Sequence, residues 1–207
     1  MICSAPFKHE VFDKFTDPEV LDKIVSDWPV EHWKTHYHAN SQNKRSIARL
    51  NQMPDSARDL ILDLNKKWAL DKFSEMLGYE LLPDPFITSE NRLWGGGLHE
   101  ISKGGFLNVH VDFNKHPMGV WRRANLLIYL NRDWTWGGDL ELWDDVKQVQ
   151  IAPVFNRAVI FETSENSWHG HPIPLDCPED QVRKSIAIYY YSVKGENVET
   201  HSTVYRG

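Results

Sequence analysis

The residues best suited to chemistry are His110 and Asp112, which stand two apart in an apolar run, FLNVHVD. A strand places every second side chain on the same face, so both should point the same way, together with Asn108. An imidazole nitrogen and a carboxylate oxygen held in this way can occupy two adjacent positions around a metal ion. A third ligand would come from His169 or from His171, which share one face of the later run WHGH. Two histidines and one carboxylate on one side of a metal leave three coordination positions open.

A later run carries a candidate receptor for a carboxylate group. Period-two alternation places Arg183 and Ser185 on one face, with Tyr189 further along it, and Lys184 on the other face. A guanidinium fork offers two parallel charge-assisted hydrogen bonds, and a hydroxyl two residues away adds a third donor. The sequence therefore predicts that Arg183 binds an anionic ligand.

The segment 124–131 is apolar on both faces, which predicts a central and buried strand. Alternation puts Asn125, Leu127 and Tyr129 on the same face. A buried Tyr129 hydroxyl needs a hydrogen-bond partner, and a ligand carboxylate beside Arg183 would supply one.

These candidate residues lie in the second part of a chain whose first third is predicted to be helical. Apolar spacing predicts a helix over 17–28, with Asp17 as its N-cap, and a longer helix over 55–77 that ends at Gly78. The polar stretch 33–53 between them is predicted to be irregular or an edge segment. Short apolar runs separated by turn residues then predict eight strands, over 98–102, 106–111, 123–131, 138–143, 148–152, 157–162, 168–171 and 183–193.

This order of elements is typical of a mainly β protein with N-terminal helices. We expect an antiparallel double sheet, a cupin-like jelly roll, with the amphipathic helices packed on one outer face. The sequence shows no repeat and no linker-like change of composition, which predicts one domain over 1–207. Within it, 1–90 would form a helical support layer and 91–195 the β core that carries the site.

The composition excludes several classes of protein. With 207 residues, of which 41% are hydrophobic, the chain is long enough to bury a core without disulfides. A net charge of -6 without a dense basic cluster argues against a nucleic-acid partner. Cys3 and Cys177 match no zinc or redox spacing, which favours a reducing compartment, although a disulfide between them stays open. No leader and no run of about 18 apolar residues occurs, so we expect a soluble cytoplasmic protein without membrane contact.

Several pieces of the sequence, taken in order, resemble the Fe(II)- and 2-oxoglutarate-dependent dioxygenases of the prolyl 4-hydroxylase-like branch. The resemblance spans 93–193. The pieces that carry it are His110-Val111-Asp112, NLLIYLNRDW at 125–134, GGDLEL at 137–142, Trp168-His169-Gly170 and Arg183-Lys184-Ser185. This resemblance implies a double-stranded β-helix core. One departure is that many relatives carry a tyrosine shortly before the metal-binding strand, where this chain has Ile101.

The resemblance also implies a role for each matching residue. His110, Asp112 and His169 would be the catalytic ligands of Fe(II), which favours His169 over His171. Arg183 and Tyr129 would hold the distal carboxylate of 2-oxoglutarate. The cosubstrate pocket would also be lined by Ser185 and Leu127, and substrate or pocket contacts are expected from His99, Asn108, Asn125, His171 and Tyr189.

The implied reaction is hydroxylation of a substrate C–H bond, with O2 consumed and 2-oxoglutarate converted to succinate and CO2. Ascorbate dependence is a further implication of the resemblance. One alternative is a cupin-type enzyme that uses a divalent metal for hydrolysis or isomerisation without 2-oxoglutarate, and another is a non-catalytic ligand-binding module. The substrate could be a peptidyl proline, a free amino acid or another small metabolite, selected by the loops 33–53, 91–97 and 114–121. We also expect 113–119 to form part of a lid, whereas the oligomeric state cannot be inferred.

Overall fold

The polypeptide forms a helical layer against a large antiparallel sheet in the computed structural model, which describes residues 2–145, 148–195 and 198–206, apart from the side chain of Tyr37. The helices in these residues are α1 (Pro18–Ser26), α2 (Asp55–Asp63), α3 (Lys67–Leu77) and α4 (Phe86–Glu90). The strands are β1 (His9–Phe12), β2 (Lys34–His38), β3 (Ser41–Ile47), β4 (Gly97–Val111), β5 (Trp121–Tyr129), β6 (Leu140–Trp143), β7 (Gln148–Ile151), β8 (Ala158–Glu162), β9 (Trp168–His171), β10 (Val182–Ser192) and β11 (Val204–Tyr205).

The long strand β4 links the two halves of the curled sheet. Its residues 97–102 pair with β10, whereas Leu107 and His110 pair with β9. From β10 the sheet continues to β5, β8 and β1, and from β9 it continues to β6 and β7. Two sets of antiparallel strands that share β4 form the predicted double-stranded β-helix, so the predicted fold class is confirmed.

The remaining edge of β4 is covered by segments from both ends of the chain. Strand β3 pairs along 98–107, and β11 pairs at His110 and Val111. The stretch 33–53, for which an irregular or an edge segment was expected, is therefore an edge hairpin of β2 and β3, followed by a 3-10 turn at Leu50–Gln52. Strand β1 also pairs with β8, so residues 1–90 contribute three strands besides the predicted helices.

Alternation along β5 and β10 separates the core side chains from those that face the site. Leu126, Ile128, Ile186 and Ile188 are fully buried against the helical layer, which supplies Leu21, Ile24, Ile61, Phe73 and Leu77. The opposite faces of the two strands supply the predicted site residues Asn125, Leu127, Tyr129, Arg183, Ser185 and Tyr189. Because the strands are packed on the helices, the position of each site residue is fixed by the core behind it.

The helices are shorter than the apolar spacing predicts. Helix α1 begins after the predicted cap, where Asp17 accepts a hydrogen bond from the Glu19 amide at 3.0 Å, and it ends at Ser26 instead of residue 28. The longest helix, α3, has 11 residues. In the part of the chain that the structure describes, no helix has both the length and the apolar content needed to cross a membrane.

The prediction of one helix over 55–77 is wrong, because the chain leaves helical geometry between α2 and α3. Asn65 donates from Nδ2 to the carbonyl of Ile61 at 2.8 Å, and the Tyr190 hydroxyl donates to the carbonyl of Leu64 at 2.9 Å. Side chains thus satisfy carbonyls that a continuous helix would bond through its own backbone. After this break Trp68, one of the apolar residues within the predicted helix 55–77, is 51% exposed instead of buried.

Candidate metal centre

The two predicted ligand strands meet at His110 on β4 and His169 on β9, which are paired in register. Asp112 follows directly after β4, and one ligand atom from each of the three residues lies within 4.8 Å of the others. The nearest pairs are His169 Nε2 with Asp112 Oδ2 at 3.2 Å and His110 Nε2 with Asp112 Oδ1 at 3.6 Å. Three nitrogen and oxygen donors that converge in this way can chelate one divalent metal ion, and they suit Fe(II).

Backbone carbonyls orient both ligand histidines. Nδ1 of His110 lies 2.8 Å from the carbonyl oxygen of Asn108, and Nδ1 of His169 lies 2.8 Å from that of Ser167. A carbonyl oxygen can only accept, so Nδ1 carries a proton in each ring, and Nε2, which faces Asp112, is the nitrogen available to a metal. The rings are therefore set in the tautomer needed for ligation by Nε2.

The third ligand, Asp112, is held by a closed ring of hydrogen bonds. Arg122 Nη2 and Asn125 Nδ2 both lie 2.8 Å from Asp112 Oδ2, and Arg122 also donates to Asn125 Oδ1 at 2.7 Å. The Arg122 guanidinium carbon lies 3.4 Å from the ring centroid of Tyr189, which fixes its plane. Burial raises the pKa of Asp112, but the Arg122 charge, with the hydrogen bonds to this carboxylate, outweighs it and holds that pKa well below its usual range.

Arg183 and Tyr129 form a buried polar pair without a full set of partners. The guanidinium carbon of Arg183 lies 5.0 Å from the Tyr129 ring centroid. In the described residues, neither Arg183 Nε nor the Tyr129 hydroxyl has a hydrogen-bond partner within ordinary geometry. Burial raises the pKa of Tyr129, so its hydroxyl stays protonated near neutral pH. Burial lowers the pKa of Arg183, but a guanidinium starts from so high a pKa that it remains charged. Two buried donors left without acceptors fit the carboxylate predicted for this place.

The three candidate metal ligands and Arg183 line one cavity of about 480 Å³, a size typical of small-molecule sites. Four of its described lining residues are lysine or arginine, and Asp112 is the sole carboxylate among them. Both ring nitrogens of His171 are buried without a hydrogen-bond partner among the described residues. Burial, followed by the nearby Arg183 and Lys44 charges, holds the pKa of His171 well below its usual value, so the ring is neutral at pH 7.

The structure brings together all but two of the sequence-predicted residues at the cavity surface. Those that line it are His99, His110, Asp112, Asn125, Leu127, His169, His171, Arg183, Ser185 and Tyr189. Tyr129 lies directly behind Arg183. Asn108 does not line the cavity, because its side chain donates to Asn40 Oδ1 at 2.9 Å on the edge of the sheet.

The expected position of Asn108 is wrong because β4 contains a bulge. Three steps along β4, from Leu107 to His110, span the same distance as two steps along β9, from His171 to His169. The extra residue reverses the alternation, so Leu107 faces the cavity and Asn108 faces away. The sequence carries no local pattern that would reveal this shift.

Other cavity residues were missed or placed elsewhere by the sequence. Lys44, Arg122 and Tyr205 line the cavity, as do His36 and His38 of the stretch 33–53. Within the suggested lid 113–119, Phe113 lines the cavity, but His116 is buried and lies 3.2 Å from Asp84. Of these residues, only Arg122 had a usable signal, since it precedes a strand that was already assigned to the site.

A curled antiparallel sheet with two histidines and one aspartate at its open end defines the class of the non-haem iron oxygenases. Residues 96–191, which carry the candidate site, match the model of the 2OG-Fe(II) oxygenase superfamily, so this part of the chain is a 2OG-Fe(II) oxygenase domain. It is therefore a 2-oxoglutarate-dependent dioxygenase that uses Fe(II) and O2. No curated protein matches the sequence.

Solved structures share the fold at low sequence identity. A Trichoplax adhaerens prolyl hydroxylase, in complex with a hypoxia inducible factor peptide fragment, is 16% identical, with a TM-score of 0.61 over 88% of this chain and 83% of its own. A Pseudomonas putida prolyl-4-hydroxylase is 13% identical, with a TM-score of 0.62 over 90% and 93%. HygX from Streptomyces hygroscopicus, with nickel and 2-oxoglutarate bound, is 10% identical, with a TM-score of 0.61 over 88% and 82%.

Proposed function

We propose that this dioxygenase hydroxylates an aliphatic C–H bond, with Fe(II) held by His110, Asp112 and His169. Arg183 and Tyr129 bind the distal carboxylate of 2-oxoglutarate, and Ser185 and Leu127 line the space between that carboxylate and the metal. The observation that carries this assignment is a cavity where three metal donors converge and that Arg183 lines with Tyr129 behind it, two buried donors for which the described residues supply no acceptor.

Iron and 2-oxoglutarate supply the oxidising chemistry when both are bound, and the protein supplies position and charge. His110, Asp112 and His169 would hold the metal with three protein donors, which would leave it free to bind reactants. Arg122 and Asn125 keep the Asp112 carboxylate ionised and in one orientation. Arg183 neutralises the far end of the cosubstrate and thereby fixes its distance from the metal.

The two alternatives from the sequence are weaker. A cupin-type hydrolase or isomerase has no use for a buried guanidinium and phenol aimed at a dicarboxylate, and a binding module has no use for three oriented ligands. The shared fold includes a peptide-bound prolyl hydroxylase and HygX with hygromycin B bound, so fold alone favours neither a peptide nor a small molecule as substrate. We further propose a cytoplasmic location, which the unpaired thiols of Cys3 and Cys177 favour, and ascorbate as the accessory reductant.

Anaerobic titration tests the assignment directly. Metal-free protein is titrated with Fe(II) and then with 2-oxoglutarate, while the weak visible charge-transfer absorption of a 2-oxo acid chelated to ferrous iron is recorded. We expect the absorption to appear in the wild type. In Arg183→Ala we expect it to need roughly 10- to 100-fold more 2-oxoglutarate, since a charge-assisted pair contributes about 1.5 to 3 kcal/mol.

Two results would contradict the proposal. Iron binding without the absorption favours the cupin-type enzyme, and absence of iron binding favours the binding module. The matched control is Lys184→Ala, because Lys184 is the next residue on β10 and does not line the cavity. This control should titrate like the wild type.

A further inference from the structure

One wall of the cavity is cationic, and the proposed roles leave it unused. The hairpin of β2 and β3 lines the cavity with Lys34, Thr35, His36, His38, Ser41 and Lys44, a set that we call the hairpin wall. Its two lysines face a cavity whose sole described carboxylate, Asp112, is already paired with Arg122. The whole chain has a net charge of -6, so this concentration of positive charge is local to the cavity.

Lys44 is the innermost cation of the hairpin wall. Strand pairing places His36, Lys44, Ile101 and Arg183 side by side in one row across four neighbouring strands. All four side chains line the cavity. Neighbouring strands are about 4.8 Å apart, so the backbone of Lys44 lies roughly 10 Å from that of Arg183. Two cationic side chains thus enter the same cavity from positions two strands apart.

Lys44 makes no hydrogen bond or ion pair with the described residues. Its neighbour Arg45 points to the other face of β3 and pairs with Glu100, so the hairpin does form ion pairs where a partner is available. A half-buried ammonium without an acidic partner is unfavourable and uncommon. Burial lowers the pKa of Lys44 to about 8. The amine is still protonated at pH 7 by roughly ten to one, so it remains a cation that needs a counter-charge.

The cosubstrate does not need this cation. The distal carboxylate of 2-oxoglutarate is matched by Arg183, and its other carboxylate would lie on the metal. The rings of His38 on the hairpin and Tyr205 on β11, which both line the cavity, stack with centroids 5.0 Å apart. Tyr205 in turn lies 5.4 Å from the ring of His110. This contact joins the hairpin to β11 across the cavity. It favours a small-molecule substrate over a peptide that would have to lie across the opening.

We propose that the substrate is a small molecule with a carboxylate group and that Lys44 binds this carboxylate, which makes Lys44 a specificity-determining residue. The inference rests on the proposed function, because it assumes that the distal carboxylate of 2-oxoglutarate occupies Arg183. The hairpin wall then orients the substrate from its acidic end toward the metal, and neutral analogues bind poorly because Lys44 is left without a counter-charge.

The test uses amino acids, hydroxy acids and dicarboxylic acids as probes, each compared with its primary amide. Binding to the anaerobic protein loaded with Fe(II) and 2-oxoglutarate is measured by calorimetry, and succinate release is measured in air. We expect at least one acid to bind wild type tenfold or more tightly than its amide and to stimulate succinate release. Lys44→Met should weaken the binding of that acid by roughly 10- to 100-fold and leave the binding of its amide unchanged.

Controls separate the site from the fold and from the cosubstrate. Lys103→Met removes an exposed lysine outside the cavity and should behave as wild type. Lys44→Arg keeps the charge and should retain most of the preference for the acid. If Lys44→Met does not fold, Lys44→Gln replaces it. Titration of 2-oxoglutarate should be the same in the Lys44→Met variant and in the wild type.

Three outcomes would overturn the inference. The first is that no acid in the panel binds better than its amide. The second is that a capped neutral peptide stimulates succinate release equally in wild type and in Lys44→Met. The third is that Lys44→Met changes the affinity for 2-oxoglutarate but not the affinity for the acid. The last result would assign Lys44 to the cosubstrate. Failure of the proposed function is distinguishable, because the wild type would then form no charge-transfer absorption with 2-oxoglutarate.

Discussion

The metal ligands and Lys44 of the hairpin wall line the same cavity but differ in how their side chains are held. On the core strands, β4, β5, β9 and β10, His110 and His169 are each bonded through Nδ1 to a carbonyl. Asp112, which directly follows β4, accepts from Arg122. On the hairpin wall, Lys44 has no partner in the described residues. The metal ligands are thus fixed before any reactant arrives, whereas the hairpin wall still offers a charge to a ligand.

This difference separates reaction geometry from selectivity. A ligand set that is oriented by its own neighbours loses little when the substrate changes. An edge hairpin that pairs only through β3 with β4 can change its side chains without disturbing the ligands. If Lys44 binds the substrate as proposed, substitutions on the hairpin wall would direct the same reaction to a different substrate.

The largest effect is expected from loss of a metal ligand on the core strands. His110→Ala and Asp112→Ala should each lower iron retention and 2-oxoglutarate turnover to background, because two donors hold the metal poorly. Circular dichroism should remain that of the wild type. Iron content after gel filtration and succinate release are the measurements.

Asn108→Ala is the matched control for this strand, since Asn108 bonds to Asn40 and faces away from the cavity. It should retain iron and most of its turnover. Loss of iron in Asn108→Ala would show that the bulge in β4 does not place Asn108 as described, whereas full activity in His110→Ala would exclude the metal centre itself.

The core strands were largely predictable from the sequence, because their signals are local. Buried strands such as β5 and β10 are apolar on a two-residue period, and the His-x-Asp pair lies on one such strand. The ligand His169 and the carboxylate receptor Arg183 each stand in a short run of their own. Period and residue type were therefore sufficient to predict the fold class and to propose His110 and Asp112 as ligands, whereas the choice of His169 over His171 came from the family resemblance.

The hairpin wall was not predictable in the same way, since β2 and β3 are polar along their length. Their stability as strands comes from pairing with β4, which is a tertiary interaction. The position of Asn108 depends on a bulge set by β9, which lies some 60 residues further along the chain. The alternation of residues within one strand reveals neither its pairing with a distant strand nor a bulge that a distant strand imposes.

A smaller effect should follow from crowding Arg183 through the turn before β6. Gly137 and Gly138 both have positive φ, so alanine at either costs about 1 to 2 kcal/mol of folding free energy. A Cβ at Gly137 meets open space, but at Gly138 it would lie 2.7 Å from Leu175 Cδ2 and 2.8 Å from Arg183 Cδ. Gly138→Ala should therefore also raise the 2-oxoglutarate concentration at half-saturation several-fold, whereas Gly137→Ala should not. Equal 2-oxoglutarate titrations in the two variants would contradict the placement of Arg183.

The smallest expected effect concerns the C-terminal segment that carries β11 past the metal centre. His201 Nε2 lies 2.8 Å from Glu165 Oε1, and the His201 amide donates to Asn114 Oδ1 at 3.1 Å. Burial alone would lower the pKa of His201, but the Ser202 carbonyl and Glu165 outweigh it and raise that pKa above 6.5. The stabilisation is therefore complete below pH 6.5 and is lost as the pH rises through the pKa of the folded protein.

Because the pair is partly exposed, its contribution should stay below about 1 kcal/mol. The reporter is the Arg206 amide, which donates to the Val109 carbonyl at 2.8 Å. Between pH 6 and pH 8 its hydrogen exchange should accelerate a few-fold more in wild type than in His201→Gln, which lacks the titrating group. Equal acceleration in both proteins would mean that His201 does not hold β11 in place, and the rim formed by Tyr205 would then depend on strand pairing alone.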